Sequence, residues 1–318
     1  MNVQFIEPLS SAWKRMKVAL FRPFDIHKWF VVGFNAFLAG LMEASNGGGA
    51  SRWTPDRADR AGWREVFEFP RTAWAWLADN PGWAIAILFA VLVAVALVVV
   101  LTWVSSRGAF MFLDNVVRDR AEIAKPWREY QKEGNSLFVW RLLLGVALFA
   151  VTGLLVAFFF VRGAAVYDSG MTPDFPIGFI LGLVLLTLAV VLVWGYIILF
   201  LREFVAALMY KNRISCNAAW KLFLGLFKKA PLQFVGFGII TFLLVLVFAV
   251  AVVFAVIGTC CIGALFLAIP YISTVVTLPV WYAYRAFSLE FLAQFGPEFD
   301  VFGRAGSPEA ATPAIPAV

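Results

Sequence analysis

The pattern along the chain is dominated by long apolar runs separated by short basic segments. Five runs meet or approach the roughly 20 residues a helix needs to cross a bilayer: Trp83–Ser105, Leu137–Val161, Phe175–Leu201, Pro231–Ile257 and Ile262–Ala283. From Ala230 to Tyr284 there is no charged residue. That stretch is too long for one span, and Gly258-Thr259-Cys260-Cys261-Ile262-Gly263 divides it as a tight turn. A sixth run, Trp29–Met42, is short, rising only about 21 Å as a helix.

The charges between the runs decide whether the short one crosses. Lys14, Arg15, Lys17, Arg22 and Lys28 precede it, against Glu7 and Asp25. The 106–136 linker carries Arg107, Arg118, Arg120, Lys125, Arg128 and Lys132. The 202–230 linker carries Arg202, Lys211, Arg213, Lys221, Lys228 and Lys229, with Glu203 its one acid. Basic segments stay in the cytoplasm, so an even number of crossings separates the first two. Trp83–Ser105 supplies one, and Trp29–Met42 must supply the other. The reading is an all-α integral membrane protein with six transmembrane helices and both termini cytoplasmic, in the bacterial inner membrane.

The order of elements recurs three times, predicting three helix-hairpin repeats. Each opens on a basic leader: Ala12-Trp13-Lys14-Arg15-Met16, Pro126-Trp127-Arg128-Glu129-Tyr130 and Ala219-Trp220-Lys221-Leu222-Phe223. Each ends on an arginine and an aromatic residue after a long apolar run: Arg107 to Phe110, Arg202 to Phe204, Arg285 to Phe287. The resulting division is 1–110 with an exterior insertion at 46–82, then 111–205, 206–295, and a flexible cytoplasmic tail at 296–318. Chance likeness among apolar helices is the competing explanation.

The leaders read as amphipathic helices lying in the membrane interface. Trp13, Met16 and Leu20 share one face, while Lys14 and Lys17 point elsewhere. A topology anchor is the plain reading; contact with anionic headgroups is the sharper one. Candidate headgroup contacts are Trp13, Lys14, Arg15, Lys17, Trp127, Arg128, Trp220 and Lys221. The 106–136 linker should continue as a helix past the membrane, with Gly134-Asn135 breaking it before the third span. In the insertion, Gly47 to Gly49 stop the first span, Thr54-Pro55 cap a short helix, and Phe69-Pro70 end it before a second over Thr72–Ala78. Trp74, Trp76 and Trp83 suit an interface belt.

Composition narrows the chemistry. Residues are 62% hydrophobic and only 14% charged over 318 positions, against about 45–50% and about 25% in soluble proteins. The net charge of +6 lies beside apolar spans, so it orients the chain rather than marking a nucleic-acid surface. His27 is the sole histidine, and no metal or cofactor site is expected. Cys260 and Cys261 are adjacent and pair only with difficulty, so no disulfide framework is expected. Ser273 and Thr277 lack a nearby base, and no catalytic residue is assigned. Arg141, Arg162, Arg202 and Arg285 sit near span ends, where snorkelling explains them. Pro270 and Pro279 can kink the sixth span, with Ser273, Thr274 and Thr277 between them. That region is the candidate cavity or hinge.

The leader–span–span order resembles bacterial multi-pass membrane proteins of unknown function. More distantly, it resembles the membrane domain that accompanies some glycerophosphodiester phosphodiesterases. The segment Ala219-Trp220-Lys221-Leu222-Phe223 and its Pro-broken following span carry that likeness, which could extend over residues 5–295. The resemblance implies a helical membrane module and supplies no catalytic residue. Two function classes follow. One is a lipid-interacting structural or accessory module that meets membrane phospholipids, anionic ones included, with a membrane-protein partner or homo-oligomer open. The alternative is a transporter or channel for a small or amphipathic solute.

Overall fold

A computed structural model describes residues 3–44, 60–168, 177–259 and 262–303. The expectations for Gly47 to Gly49, Thr54-Pro55, Cys260, Cys261 and most of the tail lie outside these residues. Every described element is helical. The order is α1 Ile6–Phe21, α2 Ile26–Ala44, α3 Arg60–Asp79, α4 Pro81–Arg118, α5 Ala124–Glu129, α6 Gln131–Asp168 and α7 Ile177–Phe200. A π-helical turn, Leu201–Val205, then leads into α8 Ala206–Asn212. The chain ends with α9 Cys216–Lys229, α10 Pro231–Gly258, α11 Ile262–Ala268, α12 Pro270–Val276 and α13 Leu278–Ala293.

Four helical stretches are long and apolar enough to cross a membrane: Pro81–Arg118, Gln131–Gly163, Leu181–Asn212 and Pro231–Gly258. A shorter apolar helix covers Ile26–Met42. The run expected as a sixth span is divided instead into α11, α12 and α13. Proline explains the division: Pro270 stands at the start of α12 and Pro279 in the first turn of α13. A missing N–H costs nothing there, because the first-turn donors have no intrahelical acceptor.

Two local expectations are corrected. Pro70 does not stop the helix; α3 runs through it from Arg60 to Asp79. The lost backbone bond is tolerated because good helix formers continue behind it. Gly134 does not break the chain either, since α6 starts at Gln131 and runs through it. Its value is proximity: a Cβ there would lie 3.0 Å from Arg107 Cγ. Beyond the apolar run Trp83–Ser105, α4 continues into the 106–136 linker as far as Arg118.

The chain divides into two compact units. One comprises residues 45–102 and 141–195. Its surface is apolar, with Phe89, Phe149, Leu154 and Val193 all exposed, as helices facing lipid require. Phe158 and Phe179 meet there at 6.2 Å.

The other unit comprises residues 1–44, 103–140 and 196–318, and it holds a conventional packed core. Three segments that follow apolar runs meet in it: the end of α4, the π-helical turn with α8, and α13. Phe110, Leu113, Phe204, Leu208, Phe287 and Phe291 are all fully buried. Phe237 of α10 joins them, 4.9 Å from Phe204, 5.1 Å from Phe287 and 4.8 Å from Phe291. Gly108 lets α4 close on α2; a Cβ there would sit 2.8 Å from the Ala39 backbone nitrogen. Beside it, the Ser105 hydroxyl donates to the Ala39 carbonyl at 2.8 Å.

Candidate functional site

Each leader packs on one of the three buried segments. α1 lies along α13: Phe5 stacks on Phe291 at 5.5 Å, and Gln4 and Gln294 exchange two 2.9 Å hydrogen bonds. α5 and Tyr130 lie against the end of α4, with Tyr130 stacked at 6.1 Å on Phe110. α9 lies against the π-helical turn through Phe223, stacked at 5.6 Å on Phe204.

The predicted headgroup residues therefore divide by surroundings. In α1, Ala12, Met16, Ala19 and Leu20 are buried against the core. On another side Ile6, Trp13 and Phe21 are exposed, with Lys17 Nζ 5.7 Å over the Trp13 ring. Lys14 and Arg15 turn to a third side. Trp127 is half-buried, packed on Trp103 at 5.7 Å and under the Arg107 guanidinium at 5.1 Å. Trp220 is likewise half-buried, against Trp140 at 6.0 Å and Phe223 at 5.8 Å. Arg128 and Lys221 are exposed.

The third side of α1 borders a groove of about 430 Å³. Lys14, Arg15 and Val18 line it from α1, Asp119 from the end of α4, and Tyr282 and Glu290 from α13. Arg15 Nε lies 3.7 Å from Glu290 Oε1. Lys28 Nζ lies 2.9 Å from Asp119 Oδ1. Lys14 makes no ion pair among the described residues.

The candidate hinge residues have local uses. The Ser273 and Thr274 hydroxyls donate to the Pro270 carbonyl at 2.8 and 3.1 Å. The Thr277 hydroxyl donates to the Ser273 carbonyl at 2.7 Å and accepts from Trp281 Nε1 at 3.0 Å. These groups satisfy one another along the helix, and they do not line the groove.

The most constrained polar groups went unassigned from sequence. Glu203 and Arg285 are both buried, with Arg285 Nη1 donating to Glu203 Oε2 at 2.9 Å and to the Arg202 carbonyl at 2.7 Å. Arg202 Nε meets Glu203 Oε1 at 2.6 Å. Snorkelling therefore does not account for Arg285. Asp114, also buried, accepts from the Tyr210 and Tyr130 hydroxyls at 2.8 and 3.3 Å. Burial is the main cause that lifts the Tyr130 phenol above its usual range. Tyr282 donates to the Val116 carbonyl at 3.3 Å. Each pair among the three buried segments is thus tied by a hydrogen bond. Glu203, the lone acid of a basic linker, was the available signal. Among the described residues no cluster of His, Cys, Asp or Glu could hold a metal.

A family model described as a family of unknown function, DUF7544, matches residues 3–280. The chain belongs to this family. The DUF7544 match includes all four long apolar helical stretches and ends within α13, before Tyr282 and Glu290. No curated protein and no solved structure matches the chain. Nothing found links this DUF7544 member to the membrane domain of glycerophosphodiester phosphodiesterases.

Proposed function

We propose that this protein is a six-crossing membrane protein of the bacterial inner membrane, built from three leader–hairpin repeats. Its leader helices form a lipid-contacting border on the cytoplasmic side. Contacts within the packed unit support the crossing number by parity. Lys28 touches Asp119, so an even number of crossings separates them; α4 gives one and α2 the other. Arg213 touches Glu129 and Glu133, which fits the paired crossings of α6 and α7. Lys211 Nζ bonds the Pro297 carbonyl at 2.7 Å, so α10 must be matched by a return through α11 to α13. The two weaker crossings pack on each other: Tyr271 of α12 donates to the Phe30 carbonyl of α2 at 3.0 Å. The repeat reading rests on each leader packing on the segment that ends a hairpin, with the first leader on the last.

The function is that of a lipid-interacting accessory or structural module. The observation that carries it is the outward side of α1, where exposed Ile6, Trp13 and Phe21 accompany Lys17 on a helix whose opposite side is buried. Aromatic rings suit the carbonyl–headgroup zone, and a lysine above them meets phosphate. Arg128 and Lys221 extend the basic border. The test is native mass spectrometry of the protein released from nanodiscs containing anionic and neutral lipids. Wild type should retain anionic lipid, and Trp13→Ala with Lys17→Glu should retain less. Equal retention by a folded double variant would refute the border.

A further inference from the structure

We infer that the groove between α1 and α13 is a binding site for a phosphoethanolamine headgroup, a phosphodiester joined to a primary ammonium. This deepens the lipid reading and rests on it. The groove's volume, about 430 Å³, falls within the usual range for small-molecule sites. Its charges are of both signs. Lys14 and Arg15 stand on the α1 wall, with Asp119 and Glu290 opposite. Arg15 is paired with Glu290 and Lys28 with Asp119 Oδ1, so Lys14 is the uncompensated cation of the lining and Asp119 Oδ2 its open acceptor. A zwitterion whose phosphate lies by Lys14 and whose ammonium lies by Asp119 satisfies both.

The pairing inside the groove favours that orientation. Lys14 has no ion-pair partner among the described residues, so its ammonium is available to phosphate. Lys28 takes Asp119 Oδ1, which leaves Oδ2 to accept a hydrogen bond. Ethanolamine supplies three N–H donors for it; a choline headgroup supplies none. Val18 lines the groove while exposed, and Phe21 lies one turn further along α1, also exposed. They give the acyl chains an apolar way out along the same helix. The Tyr282 hydroxyl is already spent on Val116, so its ring serves as a wall.

The experiment offers the full-length protein equimolar phosphatidylethanolamine, phosphatidylcholine and phosphatidylglycerol in mixed nanodiscs, and reads bound lipid by native mass spectrometry. Ethanolamine lipid should be retained over choline lipid by about ten-fold, the weight of one charge-assisted hydrogen bond. Asp119→Asn keeps a residue suited to the positive φ of 53° at that position and should erase the preference while lipid still binds. Lys14→Gln, at an exposed position, should weaken both lipids. Soluble glycerophosphoethanolamine added to detergent-solubilised protein separates the two sources of the ligand. Competition by it alone would mean a soluble metabolite fills the groove, and the lipid assignment would fall. Equal retention of ethanolamine and choline lipids by wild type, or an undiminished preference in Asp119→Asn, overturns the groove. In either case anionic-lipid retention that depends on Trp13 and Lys17 would leave the border reading standing. Retention of no lipid at all removes both.

Discussion

At the scale of single residues, the pair formed by Glu203 and Arg285 is the least tolerant feature. Both side chains are buried, and the guanidinium also holds the Arg202 carbonyl. Removing one partner strands a charge in a low-dielectric core, which typically costs about 3–5 kcal/mol. Glu203→Ala should therefore sharply lower the unfolding midpoint in detergent. The double variant Glu203→Leu with Arg285→Met should recover much of the loss, because neither charge of the pair is then left stranded without the other. A single variant that melts like wild type would refute the role given to the pair. The sequence offers only half of this arrangement. An arginine at the end of an apolar run has a ready explanation in snorkelling, and nothing local connects it to an acid 82 positions away. The lone acid in a basic linker was legible, but its partner was not. The leader tryptophans carry contacts that the sequence does not show. Their periodicity marks an apolar face, and a tryptophan of a neighbouring helix packs on each of the half-buried Trp127 and Trp220.

Among the elements, the long helices were readable because an uninterrupted apolar run has few other solutions in a membrane. Their interruptions were less so, since proline and glycine each have more than one use. Pro70 sits inside α3, whereas Pro270 and Pro279 begin helices. Pro279 stands in the first turn of α13, where its missing N–H removes no bond within that helix, so Pro279→Ala should change stability by no more than about 0.5 kcal/mol. A drop of several degrees in the unfolding midpoint would refute this. Gly108 should behave oppositely. A side chain there meets the α2 backbone around Leu38 and Ala39, which cannot rotate away. Gly108→Val should cost about 1–3 kcal/mol or more through overpacking, read as a lower midpoint, and Gly145→Val, with open space around it, serves as the control.

For the whole molecule, the proposed parity draws on the charge pattern and on the contacts. Basic linkers argue that three segments share one side, and the pairs Lys28–Asp119, Arg213–Glu133 and Lys211–Pro297 bring those segments into contact. Length is the weak point of the proposed first crossing. Read from its apolar residues alone, it spans about 21 Å, but α2 has 19 residues and so rises about 28 Å. That approaches the hydrocarbon thickness of about 30 Å. Asn35, midway along α2, donates to the Glu122 carbonyl of the basic linker at 3.0 Å, and the Ser105 hydroxyl donates to the Ala39 carbonyl, so α2 up to Ala39 lies beside the linker end of α4. The topology then predicts which single cysteines an impermeant maleimide reaches from outside intact cells, in a chain whose native cysteines are replaced. Asp79→Cys and Thr259→Cys should label, while His27→Cys and Asn212→Cys should label only after the membrane is opened. The decisive comparison is His27 with Asp79. If both react from the same side, α2 does not cross. The contact between Lys28 and Asp119 would then force α4 to remain on one side despite its length. That outcome would dismantle the six-crossing arrangement, and with it the cytoplasmic position of the groove and the leader border.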